Sequence, residues 1–134
     1  MKYLLDTNIC VHFLRGKFDV NNILQEKGLN NCCISEITIL ELRYGAEKSL
    51  NKLVAHKAVD TFLKGMAVIP IFGCIKRYAE EKVRLNKLGR PQNDDFDLLI
   101  GVTAIENKLI LVTENVKDFE QLLDIEIQNW IVRK

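Results

Sequence analysis

Short apolar runs alternate along the chain with stretches in which apolar residues recur every three or four positions. The run MKYLL over residues 1–5 predicts a buried strand that ends at Asp6. Residues 8–14 (NICVHFL) predict a short helix, and residues 20–29 a second. Residues 31–34 (NCCI) predict the next strand. Ser35 is placed to cap the helix after it, with Glu36 complementing the positive end. That helix is expected to reach about Ser49, and another pattern covers residues 50–64. Residues 67–72 (AVIPIF) predict a third strand, which Pro70 confines to a sheet edge or a strand end. Ile75, Ala79 and Val83 then recur at helical spacing, with Tyr78 and Leu85 flanking the same apolar stripe. Gly89-Arg90-Pro91 stops this helix. Residues 98–107 read as a helix, 109–113 as a fourth strand and 125–128 as a fifth.

Strands alternating with helices imply an α/β fold with a parallel sheet covered on both faces. In such sheets ligands gather beyond the carboxyl ends of the strands. Candidate chemistry is therefore sought where strands end.

At 134 residues, 48% of them apolar and 28% charged, the chain is expected to form one domain over residues 1–134. An acid at position 6 interrupts any leader-like apolar segment, and no run approaches a membrane span. A cytoplasmic location without membrane contact is the expectation. The net charge of +1 neither demands nor excludes nucleic acid, and suggests that a polynucleotide would be gripped locally. Cys10, Cys32, Cys33 and Cys74 show no C-x-x-C spacing, and His12 and His56 stand alone, so zinc has little support. Cys32 and Cys33 read as small hydrophobes in a reducing compartment.

The acids carry more information. Asp6 follows a buried strand directly, a rigid seat for a metal ligand, although it could equally cap the next helix. Glu41 lies between Ile37 and Tyr44 on one helix face, with Gly45 a turn later removing bulk. An ordinary solvated glutamate is the plainer reading. Asp97 is the third aspartate of QNDDFD; Asp94 or Asp95 suits the cap, which leaves Asp97 near the inward stripe of Ile100, Gly101 and Ala104. After the fourth strand, the Thr113 hydroxyl is placed to orient a carboxylate or water, and Asn115 and Asp118 follow within a turn. Each acid alone is weak. Gathered at strand ends they would repel one another unless a cation intervened. An all-oxygen set selects Mg2+ or Mn2+, and the chemistry implied is phosphodiester hydrolysis.

LLDTNICVHFLRG, ISEITILELRYGAEKS, DDFDLLIGVTAIENKLILVTEN and KDFEQLLDIEIQNW together resemble, in this order, the PIN-domain toxins called VapC. The resemblance runs from the first residues to Trp130. It implies an α/β/α sandwich with a central parallel sheet, RNA cleavage with Mg2+ or Mn2+, a homodimer, and control by a VapB-type antitoxin. By position it makes Asp6, Glu41 and Asp97 the first three site acids. The fourth position holds Asn115, and Asp118 is the nearest acid that could substitute.

A haloacid-dehalogenase-type phosphatase would need an acid where Asn8 stands, and a response-regulator receiver would need an Asp that AVIPIFG lacks. The stronger rival is a catalytically silent PIN module that only binds a partner. Among cations, Lys76, Arg77, Arg84 and Lys87 with Glu80 among them read as a solvated face, and Arg15 and Lys17 are better placed for RNA phosphates.

Overall fold

The computed structural model describes residues 1–133. Its strands are β1 (Tyr3–Leu5), β2 (Cys32–Ser35), β3 (Ala67–Ile69), β4 (Ile110–Val112) and β5 (Ile127–Gln128). All neighbours pair in parallel, in the order β3-β2-β1-β4-β5, so β1 lies at the centre. The helices are α1 (Thr7–Leu14), α2 (Val20–Lys27), α3 (Glu36–Glu47), α4 (Lys52–Lys64), α5 (Ile75–Lys87), α6 (Asp95–Glu106) and the short α7 (Val116–Phe119). Among the described residues no helix is long and apolar enough to cross a membrane.

The strands are almost wholly apolar because both faces are covered. Side chains alternate across the sheet: Tyr3, Leu5, Cys32 and Ile34 enter one core with residues of α1 to α4. Leu4 and Cys33 enter the other, with α5, α6 and Phe119 of α7. The four cysteines are free and buried, as small hydrophobes should be. Ser35 caps α3 by accepting from Ile37 N, 3.0 Å away. β3 is an edge strand that stops before Pro70, in keeping with the missing amide donor. The α6 helix is apolar nearly all round because it is wedged between sheet and α7. At Gly101 a β-carbon would stand 2.3 Å from Leu122 Cδ1 and 3.2 Å from Phe119 Cδ1, so the glycine permits this approach. The closeness matters because α7 carries Asp118 towards the end of α6 that carries Asp97.

One element turns against its pattern. Ile75, Ala79 and Val83 of α5 are exposed, and the helix buries Tyr78 in part and Glu81 and Leu85 fully. A polar interaction outweighs the apolar stripe here. Glu81, 3% exposed, accepts two bonds of 2.7 Å from Arg84 and one of 2.7 Å from Leu123 N. Arg84 also donates to Gln121 O at 2.7 Å. The segment after α7 is thereby tied to α5 through charge-assisted bonds. Arg77 is engaged by Glu106, so of Lys76, Arg77, Arg84 and Lys87 only Lys76 and Lys87 stand exposed and unpaired among the described residues; the solvated-face reading holds for these two.

Arg84→Met should therefore cost about 1.5–3 kcal/mol in urea unfolding, the range for hydrogen bonds to a charged group. Val83→Ala, on the exposed side, should stay within about 0.5 kcal/mol. A larger loss for Val83→Ala would restore the apolar stripe as the packing face.

Candidate active site

Three strand ends open onto one edge of the sheet: Asp6 after β1, Ser35 closing β2 and Thr113 after β4. Asp6 keeps extended backbone angles (φ −69°, ψ 159°) while α1 begins behind it. Its two oxygens have separate partners. Oδ1 accepts from Thr7 N at 2.8 Å, and Oδ2 accepts from the Thr113 hydroxyl at 2.8 Å and from Asn8 Nδ2 at 3.3 Å. The cap and the strand-end seat are thus the same residue. Thr113 orients this carboxylate, as its position suggested. Only 3% of Asp6 is exposed, and burial pushes its carboxyl up to about 6 despite the bonds from Thr113 and Thr7; Glu41 and Asp118 add repulsion.

Glu41 projects from the second turn of α3. Its Oε1 accepts from the Thr7 hydroxyl at 2.7 Å, and the Thr38 hydroxyl lies 3.1 Å from that of Thr7. Half-burial raises the Glu41 carboxyl against the bond from Thr7, and Asp94 raises it further. Of its expected neighbours only Ile37 is buried; Tyr44 stands 64% exposed.

At the start of α6 the three aspartates divide their work. Asp94 is the cap, its Oδ1 accepting from Phe96 N at 2.9 Å and Asp97 N at 3.3 Å. Asp95 is held by Lys82 Nζ at 2.7 Å and Tyr78 OH at 2.8 Å. Asp97 is left half-buried, and among the described residues no donor satisfies its carboxylate. Burial, and then the charges of Asp6, Asp94, Glu41 and Asp118, push it up to about 7. Asp118 is exposed and lines the same depression as Asp94 and Asp97. Asn115 opens α7, with its backbone N–H on the Thr113 hydroxyl at 3.0 Å.

Asp6, Glu41, Asp97 and Asp118 therefore share one electrostatic neighbourhood. Among the described residues no three acid, histidine or cysteine side chains are drawn together as a ready-made ion site. The acids sense one another across the cleft without closing on a point. The donor chemistry nevertheless fits a hard divalent cation: oxygen ligands only, mutual repulsion, and in Asp97 an acid without a protein donor.

Two groups escaped the sequence reading. Thr7 and Asn8, which follow Asp6 directly, position Glu41 and Asp6 respectively. Glu114 is also acidic at a strand end, but it takes no part in the repulsion. His12 Nε2 lies 2.9 Å from it, Arg133 pairs with it from the C-terminal segment, and its carboxyl is held down at about 2 by Arg133 first and His12 second. No local signal marks partners so far apart in the chain.

The raised acids have a signed consequence for the metal-free protein. The folded chain keeps protons on Asp6 and Asp97 up to about pH 6 and 7, whereas ordinary carboxyls in the unfolded chain release them near pH 4. Stability from these sites is full below that lower value and is lost as pH rises through the folded ones. In EDTA the melting temperature of Asp97→Asn should therefore gain on that of the parent between about pH 5 and 7.5. A constant or shrinking difference across that window would contradict the shift.

Comparisons with known proteins bear on the family and the fold. A model of the PIN domain family matches residues 3–122. The chain is 35% identical over 133 residues to Ribonuclease VapC2 of Rickettsia felis, covering 97% of this chain and 98% of that one. It is 32% identical to the tRNA(fMet)-specific endonuclease VapC of Salmonella typhimurium over 133 residues, again 97% and 98% of the two chains. Among solved structures, VapBC2 of Rickettsia felis bound to a DNA fragment from their promoter matches with a TM-score of 0.88 at 33% identity, covering 97% of this chain and 99% of that chain. DNA-bound VapBC of Salmonella typhimurium matches with a TM-score of 0.90 at 30% identity, over 97% and 98%. Coverage is nearly complete in both directions, and the chain belongs to the PIN-domain family, in its VapC branch.

Proposed function

We propose that this single-domain chain is an endoribonuclease that hydrolyses RNA phosphodiester bonds with Mg2+ or Mn2+, and acts as the toxin of a toxin–antitoxin pair. The observation that carries the reading is Asp97, a half-buried acid without a donor that is repelled by Asp6, Glu41 and Asp118. Such an arrangement is costly unless a cation offsets it. PIN-domain nucleases as a class depend on divalent metal. Asp6, Glu41 and Asp97 would hold the ion, with Asp118 at the periphery. The ion, when bound, would bind phosphate oxygen, acidify a water and stabilise the leaving oxygen.

The chain's own residues supply the rest. Thr113, Thr7 and Asn8 fix Asp6, and Thr7 fixes Glu41, so that two acids present defined oxygens before substrate arrives. The buried sheet edge behind Asp6 excludes water from one side. The relatives named for tRNA(fMet) favour a structured RNA cut where bases are unstacked.

A VapB-type antitoxin is the proposed protein partner, in line with the VapBC complexes that the fold matches. An arginine from it would take over the cation's role in the acidic cleft. A groove between α1, α3 and α4, lined by Val11, Leu14, Leu42, Ala46 and Val59, would seat its apolar residues. A homodimer is in keeping with the exposed apolar side chains of Ile75 and Val83, two turns apart on α5.

The test is cleavage of total tRNA at saturating Mn2+. The parent should cut, and Asp6→Ala and Asp97→Ala should each lose about a hundredfold or more, while Asp118→Asn loses about tenfold and Asn115→Ala less. Parent-like activity in Asp97→Ala would end the site assignment. A parent that cuts nothing would leave the silent binding module.

A further inference from the structure

Beside the carboxylates, α3 and the start of α6 line a second depression of about 530 Å³, whose outer residues the chemistry above does not use. Thr7 and Glu41 form its inner wall; Leu40, Tyr44, Lys48 and Phe96 form the rest. Two features of it are unusual for a solvated surface. Tyr44 and Phe96 are 64% and 40% exposed, so two aromatic side chains are left largely open to water. Lys48 holds its ammonium 4.5 Å from the Tyr44 ring centroid, a cation already poised over an aromatic face. The floor is equally telling. Gly45 sits inside α3, where glycine is less favourable than alanine, yet a β-carbon there would meet nothing within 4 Å. Among the described residues nothing packs where the β-carbon would stand, and its absence leaves room on the outer surface for a close approach.

We propose that this depression binds one unstacked RNA base next to the scissile phosphate, with the base against Tyr44 and Phe96 and its phosphate on Lys48. The proposal rests on the ribonuclease reading and deepens it. Position selects the occupant. A phosphate held at Asp6, Glu41 and Asp97 leaves its neighbouring nucleotide within reach of a pocket whose wall is Glu41 itself. Stacking on aromatic side chains with a cation at the backbone is the general way in which proteins hold single-stranded bases. A protein segment is better served by the adjoining groove between α1, α3 and α4, which is more apolar and lacks an open aromatic face. The two depressions meet along Glu41, Gly45 and Lys48, so an inhibitor seated in the groove would lie against the base site.

The experiment uses the full chain and hairpin RNAs that carry 2-aminopurine at each loop position in turn. Binding is read by fluorescence in the Asp97→Asn background, and cleavage by the otherwise unchanged protein in Mn2+. One loop position, adjacent to the cut, should be quenched. Tyr44→Leu and Phe96→Leu should abolish that quenching, weaken binding about tenfold or more and raise KM. Tyr44→Phe should restore both. Gly45→Ala should fold with an unchanged or higher Tm and still raise KM. The inference is overturned if Tyr44→Leu and Phe96→Leu bind and cleave as the parent does. It is also overturned if they lose only the binding of a protein inhibitor, which would make this a protein-docking face. Failure of the underlying reading is distinct: the parent itself would then cleave none of these RNAs in Mn2+, and the inference would fall with it.

Discussion

A carboxylate buried at the end of a central strand has three fates: it keeps a proton, finds enough donors, or binds a cation. Asp6 has donors for both oxygens and is still pushed up to about 6. The same residue caps α1, ends β1 and is tied to β4 through Thr113, so backbone direction, sheet pairing and charge are resolved at one point. The other acids are disposed around it. Thr7, one residue on, carries the constraint to Glu41 on α3, and Asp97 and Asp118 come to the same edge on α6 and α7.

The remainder of the fold serves that edge. Parallel pairing puts the ends of β1, β2 and β4 side by side, and Gly101 lets Leu122 and Phe119 close on α6. On the far side of Thr113, Glu114 would be a fifth repelling charge. Pairing with Arg133 and His12 removes it from the cluster and fastens the C-terminal segment beside Asn8, whose amide also touches Asp6. At this edge Glu114 is paired with cations, whereas Asp6, Glu41, Asp97 and Asp118 have none among the described residues.

Much of this was legible in the chain's pattern. Short apolar runs alternating with helical patterns identified the parallel sheet, and Asp6 stood out because it follows such a run directly. The α5 stripe misled because hydropathy does not register that a buried Glu81 with three donors outweighs exposed Ile75 and Val83. That Asp94 or Asp95 would be the cap, and Asp97 the acid near the inward stripe, was legible from their place at the start of an apolar helix. Which of Asp94 and Asp95 would cap was not, because Lys82 and Tyr78 reach Asp95 from a different helix. Glu114 was invisible for the same reason, its partners being 102 and 19 residues away.

The central claim is that these acids form one cation site and not a set of unrelated caps. Calorimetric titration of the RNA-free, antitoxin-free chain with Mn2+ at pH 7.5, beside Asp97→Asn, tests it most directly. The account predicts saturable binding by the parent and a loss of that binding in the variant, whose fold is intact. Equal binding by both proteins, or none by the parent, would contradict it.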